Sequence, residues 1–268
     1  CFFTALILFV YYPSTRADDF LGEVSMGTTI IAAKYEHGVV FAADSRTSIS
    51  NYASNRHASK INILFDDSAN GGDSACICRA GSAADTQHYV EILKEDLHWR
   101  LHRRNIVGRN AKANVTVKSC ARLMRMLLLE SSTDVSCNLI CAGYDSASGE
   151  GVLYSILQSG AIFDMSGEGV ITSGSGSAFV QGFIDDNYRS DMTEAECVEF
   201  LTRAVQLSMD RDGHSGGNAR VYVVDQKGCR AVEPEDNVQS QSINGSPITK
   251  RLPNFADSFH IQSKHGLK

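Results

Sequence analysis

The sequence is poor in proline and tryptophan, and it has no excess of basic residues. Its 268 residues include 4 Pro and 1 Trp, and the net charge at pH 7 is −6. Because nucleic acids and anionic membranes select for clustered Lys and Arg, this charge argues against either as a partner. There is also no P-loop and no G-x-G-x-x-G that opens a helix after a strand, so the sequence predicts no cofactor. The hydrophobic content of 43% is that of a globular protein with a sizeable core.

The 8 cysteines lack the spacing of a zinc site. No C-x-x-C pair is present, and no histidine follows at the spacing that zinc fingers use. We therefore expect no bound metal, and free thiols distributed through an intracellular core. Cys76 and Cys78 are separated by one apolar residue, which predicts that both side chains lie on one face of a strand.

Residues 1–12 are nearly all apolar, but this run is too short to span a bilayer. A signal peptide is an alternative interpretation, although no basic stretch precedes the run and no Met starts it. The missing Met leads us to expect an incomplete N-terminus. Residues 13–27 are polar and lack periodicity, which is typical of a linker or a pro-segment.

Strands and helices follow each other in blocks along the rest of the chain. Residues 28–35 and 39–43 are β-branched and apolar and flank a short turn, which predicts a hairpin. The helix predicted at 82–103 has one apolar face, formed by Val90, Leu93, Leu97 and Leu101. Further strands are predicted near 45–49, 75–79, 137–144, 152–156, 219–224 and 228–232, and further helices at 117–130, 174–187 and 193–210.

This order of elements predicts an α+β fold and not a series of alternating βα units. Two hairpin sheets between two helix layers would bury the helix stripes and the strand faces together. Residues 66–73 are rich in Gly, Asp and Asn, and we expect them to form a surface loop. From about residue 235 the sequence becomes polar, which indicates an extended arm or a mobile tail.

The dipeptide Gly27-Thr28 has the features of a self-cleaving site. Glycine allows the backbone to bend so that the threonine hydroxyl reaches the preceding carbonyl. Cleavage would free the α-amine of Thr28, whose pKa is about 8 in model compounds. That amine could then act as the general base for the hydroxyl of the same residue. On spacing alone, however, the start of a strand is the simpler interpretation.

Five sequence blocks occur in order between residue 28 and about residue 224. They are TTI at 28–30 with GVVFAADSRT at 38–47, then Lys60, GSAADT at 81–86, GSG at 174–176 and RDGHSGG at 211–217. In this order and at this spacing they resemble the catalytic β subunits of the 20S proteasome, and most closely the caspase-like type. The resemblance implies threonine endopeptidase activity toward unfolded polypeptides.

The resemblance also implies a fold, a domain organisation and an assembly. The fold would be a four-layer α-β-β-α sandwich of the N-terminal nucleophile hydrolase type, with two antiparallel sheets between helix pairs. Residues 1–27 would be a propeptide removed at Gly27-Thr28, residues 28–235 the hydrolase domain, and residues 236–268 a C-terminal extension. The partners would be other β subunits in a seven-membered ring, a second β ring and α rings, in the cytoplasm and nucleus.

The catalytic roles of the family carry over residue by residue. Thr28 matches the nucleophile, Asp44 the acid near its base, and Lys60 the neighbouring lysine, whose ammonium would favour deprotonation of the hydroxyl and the amine. Gly81 matches the residue whose N–H forms the oxyanion hole, where a side chain would obstruct the substrate. The resemblance also assigns a hydroxyl–carboxylate cluster around the amine, formed by Ser175, Asp212 and Ser215.

The substrate-binding positions of the family are matched as well. Thr47 and Ser48 match the segment whose backbone pairs with the substrate as an added strand. Arg79 matches the floor of the pocket for the residue that precedes the cut. Strand alternation places Arg79 and Gly81 on one face, so a guanidinium in that pocket would favour Glu or Asp in the substrate.

Two local departures from the family pattern affect the interpretation. Residues 66–73 add about seven residues between Lys60 and Gly81, which a loop would tolerate. His214 replaces a small residue beside Ser215 and would either alter the pH dependence or face a neighbouring subunit.

Two other functions remain open at this point. A non-catalytic β subunit of the same particle would lack part of the Thr, Asp and Lys set or would not be cleaved. A free-standing amidase of the same fold type would lack the GSAAD block and the subunit-like tail.

Overall fold

The computed structural model describes residues 27–49, 52–107, 115–131 and 135–232, except for the side chains at 49, 52–53 and 104–107. All of them belong to one unit of the chain, Cys1–Pro234. The predicted propeptide, apart from Gly27, and the predicted extension at 236–268 lie outside the described residues. None of the helices described has the length and apolar character needed to cross a membrane.

The described part of the chain forms twelve strands and four α-helices. The strands are β1 (Ile30–Tyr35), β2 (Gly38–Ala43), β3 (Thr47–Ile49), β4 (Tyr52–Asn55), β5 (Ile61–Asp66), β6 (Ser74–Gly81), β7 (Cys137–Asp145), β8 (Glu150–Leu157), β9 (Ile162–Asp164), β10 (Val170–Ser173), β11 (Arg220–Asp225) and β12 (Gly228–Val232). The helices are α1 (Ala83–Val107), α2 (Val117–Glu130), α3 (Ser177–Asn187) and α4 (Glu194–Arg211).

Antiparallel pairing joins these strands into two five-stranded sheets and one short ribbon. The first sheet has the order β10-β1-β2-β11-β12, the second has the order β5-β6-β7-β8-β9, and β3 pairs with β4. The predicted hairpin of β1 and β2 is confirmed, with Ile30 opposite Ala43 and Tyr35 opposite Gly38. The predicted α+β class with antiparallel sheets is therefore confirmed.

Three apolar clusters hold these elements together. One lies between the second sheet and helices α1 and α2, and it includes the predicted face of α1, with Leu93 and Leu97 fully buried. A second joins helices α3 and α4 to the first sheet, and it includes Val40 on β2. The third contains residues of both sheets, including Phe41, Cys76 and Cys78. The prediction that Cys76 and Cys78 share one strand face is thus confirmed.

Strands β4, β5, β9 and β10 were not predicted from the sequence. Strands β9 and β10 have only three and four residues, and they form at sheet edges by pairing with β8 and β1. Strand β5 has an irregular register between Ile63 and Phe65, which breaks the period-two pattern that identifies a strand. Strand β10 pairs with β1, which is distant in the chain, so its local sequence does not indicate the pairing.

The predicted surface loop at 66–73 is only partly a surface loop. Asp66 ends β5, and Asp67 and Asp73 are buried. The carboxylate of Asp73 accepts hydrogen bonds from the backbone N–H and the hydroxyl of Ser146, in the turn between β7 and β8, at 3.0 and 2.6 Å. Burial of the loop is explained by this long-range contact, which its polar composition does not indicate.

Candidate active site

Thr28 lies just before β1 and is almost completely buried, with 4% of its surface exposed. The Thr28 hydroxyl donates a hydrogen bond to the Gly27 carbonyl at 2.8 Å. The Lys60 ammonium donates to the Thr28 Oγ1 at 3.1 Å and to the same carbonyl at 3.2 Å. The hydroxyl and the carbonyl that a self-cleavage reaction joins are therefore held together by one cation.

Asp44 follows β2 and fixes the position of Lys60. Its Oδ1 accepts a hydrogen bond from the Lys60 Nζ at 2.6 Å and from the Thr29 N–H at 2.9 Å. Its Oδ2 accepts the N–H groups of Gly216 and Arg46 at 3.1 and 3.3 Å. Asp44 has no exposed surface, and Lys60 is 7% exposed, so this ion pair lies in the protein interior.

The electrostatic environment of Lys60 combines two opposing effects. Burial lowers the pKa of Lys60 below its ordinary value, and the adjacent Asp44 carboxylate opposes that shift. The Lys60 ammonium, which donates to the Thr28 Oγ1, is therefore in position to stabilise negative charge on that oxygen.

A second polar cluster faces the nitrogen of Thr28. The Thr28 N–H donates to the Ser175 Oγ at 3.2 Å, and Ser175 in turn donates to the Asp212 Oδ2 at 2.7 Å. Ser215 donates to the same carboxylate oxygen at 2.7 Å. Burial alone would raise the pKa of Asp212, but the hydrogen bonds from Ser175, Ser215 and the His214 N–H lower it. Asp212 is therefore ionised near the position that a free α-amine would occupy.

Two glycines allow close approach at this site. Gly174, at the start of the β10–α3 connection, has a φ of +93°, and a Cβ there would lie 2.1 Å from the Thr28 carbonyl oxygen. Gly81 ends β6 with a φ of +105°, and a Cβ there would lie 2.3 Å from the Ser136 carbonyl oxygen. Because L side chains rarely adopt such φ values, both positions require glycine.

A cavity of about 440 Å³ opens beside Thr28 and Lys60. Gly81, Arg79 and Thr47 line it, so the structure brings the predicted nucleophile, oxyanion and substrate-binding residues to one cavity. Ser48 is buried next to Thr47 on β3, which pairs only with β4 among the described strands.

Arg79 is held rigidly in the wall of this cavity and is 8% exposed. Its guanidinium donates to the Asn62 side chain at 2.7 Å, to the Ser59 carbonyl at 2.8 Å and to the Thr86 hydroxyl at 3.3 Å. These contacts use three of its five N–H groups. Within the described residues no carboxylate pairs with Arg79, although Glu91 also borders the cavity.

Three residues at the site were not identified from the sequence. The Thr29 hydroxyl lies 2.9 Å from the Ser215 hydroxyl, and Arg46 donates to the backbone carbonyls of Gly213 and His214. Asn62, which orients Arg79, lies on β5, a strand that the sequence analysis missed. The polar Asn62 between the apolar residues Ile61 and Ile63 is an alternation typical of a strand. The irregular register that follows Ile63 interrupts this pattern.

His214 packs directly against Gly27. A Cβ at position 27 would lie 1.9 Å from the Cβ of His214, so a residue with a side chain could not occupy this position without movement. The His214 backbone N–H donates to the Asp212 carboxylate at 3.0 Å. The requirement for glycine before Thr28 thus has a specific steric cause in this chain.

Comparison with known proteins adds an independent observation. The family model described as "Proteasome subunit" matches residues 24–224. The chain is similar to the probable proteasome subunit beta type-1 of Schizosaccharomyces pombe, with 40% identity over 77% of this chain and 84% of that protein. It is also similar to proteasome subunit beta type-6 of Arabidopsis thaliana, with 36% identity over 80% and 85% of the two chains. Proteasome subunit beta type-1 of Saccharomyces cerevisiae is 32% identical over 76% and 86%.

Proposed function

The chain belongs to the proteasome subunit family, and from this premise we propose that it is a catalytic β subunit of the 20S core, a threonine endopeptidase that cuts after acidic residues. Proteins that share a fold can differ in activity, because catalysis depends on the residues of the site and not on the fold. The observation that carries the proposal is the contact of the Lys60 ammonium with both the Thr28 hydroxyl and the Gly27 carbonyl.

We propose that the first reaction at this site is self-cleavage. The Thr28 Oγ1 attacks the Gly27 carbonyl carbon, its proton passes to the Thr28 nitrogen, and the C–N bond breaks. Lys60 donates to the carbonyl oxygen, which carries the developing negative charge. Water then hydrolyses the resulting ester and releases the Gly27 carboxylate, while the α-amine of Thr28 becomes free.

In the processed chain the same oxygen attacks a substrate carbonyl. The free α-amine accepts the hydroxyl proton and later donates a proton to the leaving amine, so the acyl group is carried as an ester on Thr28. Ser175 and Asp212, which face the Thr28 nitrogen, are placed to orient this amine. Gly81 supplies the backbone N–H for the oxyanion, and water completes the cycle by hydrolysing the ester.

The acidic preference rests on Arg79. Its guanidinium is buried in the cavity wall, and three hydrogen bonds to neutral groups hold it in one orientation. A buried cation without a carboxylate partner is costly, and a Glu or Asp side chain of a substrate would supply the missing charge. Thr47 and Ser48 on β3 are placed to pair with the substrate backbone, as an added strand would.

The proposal extends to the organisation of the chain and its assembly. As a member of this family the protein assembles with other proteasome subunits. We propose a β ring of seven subunits, stacked on a second β ring and on α rings, with unfolded polypeptides as substrates in the cytoplasm and nucleus. Three apolar clusters support a four-layer α-β-β-α order. Residues 1–27 would then be the propeptide, 28–235 the hydrolase domain and 236–268 an extension.

The proposal is tested by the N-terminus and the activity of the assembled particle. Intact mass and N-terminal sequencing of the purified subunit should place the first residue at Thr28. Fluorogenic peptides with Glu before the cut should be hydrolysed when the other catalytic subunits are blocked. A chain that still begins before Thr28 and hydrolyses no peptide would instead identify a non-catalytic subunit.

Replacing Arg79 with glutamine should change the substrate preference without impairing the nucleophilic attack by Thr28. Hydrogen bonds to a charged group contribute about 1.5–3 kcal/mol, so kcat/KM for a Glu peptide should fall roughly 10- to 100-fold. The rate for a Leu peptide should stay the same or rise, because that side chain gains nothing from the cation. Measured kcat/KM values for both peptides provide the test.

A matched control for this variant is Arg100→Ala. Arg100 lies on α1, is about half exposed and pairs with Asp96 on the same helix. Its removal should leave both peptides unaffected. Equal losses for the Glu and Leu peptides in Arg79→Gln would contradict the proposed pocket.

A further inference from the structure

Two cysteine sulfurs from different sheets lie close together, and neither cysteine lines the active-site cavity. The Sγ atoms of Cys76 and Cys229 are 3.7 Å apart, although the residues are 153 positions apart in the chain. Cys76 lies on β6 in the second sheet, and Cys229 lies on β12 at the edge of the first. Both are free thiols, and no other pair of described cysteines makes a sulfur–sulfur contact of this kind.

The two thiols differ in their access to solvent. Cys76 has no exposed surface, whereas Cys229 is partly exposed. The hydrogen bond to Cys229 and burial also raise the pKa of Cys76 well above its ordinary value. A small oxidant can therefore reach Cys229 first, and Cys76 is placed to react with the product.

The backbone around Cys229 holds it beside the second sheet. Its N–H donates to the carboxylate of Asp66, the last residue of β5, at 2.9 Å, and its Sγ lies 3.9 Å from the Phe65 carbonyl oxygen. A disulfide needs sulfurs about 2.05 Å apart. Because β12 is an edge strand with one neighbour, its side chain and backbone can move by the distance that this requires more easily than those of a central strand.

We propose that Cys76 and Cys229 form a peroxide-sensitive pair that closes into a disulfide between the two sheets. The Cys229 thiolate attacks one oxygen of hydrogen peroxide, the O–O bond breaks, and a sulfenic acid and one water result after proton transfer. The Cys76 sulfur then attacks the Cys229 sulfur and expels the second oxygen as water. Two thiols are thus oxidised by two electrons, and one peroxide is reduced to two waters.

The disulfide would involve β6, the strand whose last residues line part of the active-site cavity. Cys76 precedes Arg79 by three residues on β6, and Gly81 ends the same strand. A covalent bond from β6 to β12 would restrain the separation of the two sheets during unfolding. Because the closed loop is long, the oxidised chain should unfold at a higher denaturant concentration than the reduced chain.

The test is peptide mapping of the assembled particle after treatment with hydrogen peroxide. Free thiols are blocked under denaturing conditions, the subunit is digested, and the peptides are analysed by mass spectrometry. We expect loss of both free thiols and a joined peptide that contains Cys76 and Cys229 and lacks two hydrogen atoms. Dithiothreitol should restore the two separate peptides.

Three variants make the result specific. Cys229→Ser should leave Cys76 reduced, because peroxide does not reach it directly. Cys76→Ser should accumulate a sulfenic acid at Cys229, detected by dimedone labelling, since the resolving thiol is absent. Cys197→Ser removes a buried thiol on α4 and should retain the joined peptide.

Two outcomes would overturn the proposal. One is oxidation of Cys229 to sulfinic or sulfonic acid in the parent particle while Cys76 remains a free thiol. The other is a joined peptide that appears only when peroxide is added after denaturation. Both measurements use the parent chain, so they remain decisive even if a variant fails to assemble.

Discussion

Replacement of Thr28 with alanine is expected to abolish peptide hydrolysis and to leave residues 1–27 attached. In the proposed mechanism one oxygen, the Thr28 Oγ1, is the nucleophile of both reactions, and no other hydroxyl among the described residues contacts both Lys60 and the Gly27 carbonyl. Loss of a nucleophile in comparable enzymes lowers the rate by about 10⁴-fold or more. Intact mass reports the processing step, and a fluorogenic Glu peptide reports the hydrolysis.

Two further variants distinguish loss of the Thr28 hydroxyl from a general effect of substitution on the sheet. Thr28→Ser keeps the hydroxyl and should retain both processing and activity, although at reduced rates. Thr172→Ala removes a partly exposed hydroxyl on β10, in the strand that pairs with β1, and should leave both unchanged. If Thr28→Ala were processed at the normal site, another residue would have to supply the nucleophile, and the proposed mechanism would be wrong.

Replacement of Lys60 with alanine should reduce both catalysis and stability. The ammonium contacts the reacting oxygen, and loss of one such electrostatic or proton-transfer group lowers kcat by roughly 10²- to 10⁴-fold. The same change leaves the Asp44 carboxylate buried without its cation. Breaking a buried ion pair in this way costs about 3–5 kcal/mol of the free energy of unfolding. Peptide hydrolysis and denaturant unfolding measure the two effects separately.

Lys34 provides the matched control for Lys60. It lies on β1, and its ion pair with Glu150 is near the surface, with side chains 20% and 65% exposed. A pair of this kind contributes about 1 kcal/mol or less, so Lys34→Ala should be nearly neutral in both assays. A Lys60→Ala particle that hydrolyses peptides at the normal rate would show that the ammonium has no part in the reaction.

The double variant Lys60→Met with Asp44→Asn tests the source of the instability. It removes the cation and the anion together, so no isolated charge remains buried. We expect it to recover a substantial part of the lost free energy of unfolding without recovering catalysis. Recovery of activity by this variant would contradict the proposed role of Lys60.

Much of the secondary structure was predictable because local patterns of apolar and polar residues indicate it. The apolar stripe of α1 is present in the structure, and α4 begins where its sequence predicts, with a capping box formed by Thr193 and Glu196. The hairpin of β1 and β2 follows from two apolar segments around a short turn. Strands β9 and β10 are too short for a periodic pattern to identify them, and β10 pairs with the distant β1. Strand β5 has an irregular register, which interrupts its alternation.

The sequence by itself determined the family, through five motifs whose order and spacing are specific. It also identified the main cavity residues, Thr28, Thr47, Lys60, Arg79 and Gly81, but not Asn62. Only the tertiary structure decided how those residues meet: Lys60 contacts Thr28 because Asp44 holds it there, and Arg79 faces the cavity because Asn62, Ser59 and Thr86 fix its guanidinium. The contact between Cys76 and Cys229 likewise depends on the packing of one sheet against the other. Such contacts join residues far apart in the chain, and local sequence patterns contain no record of them.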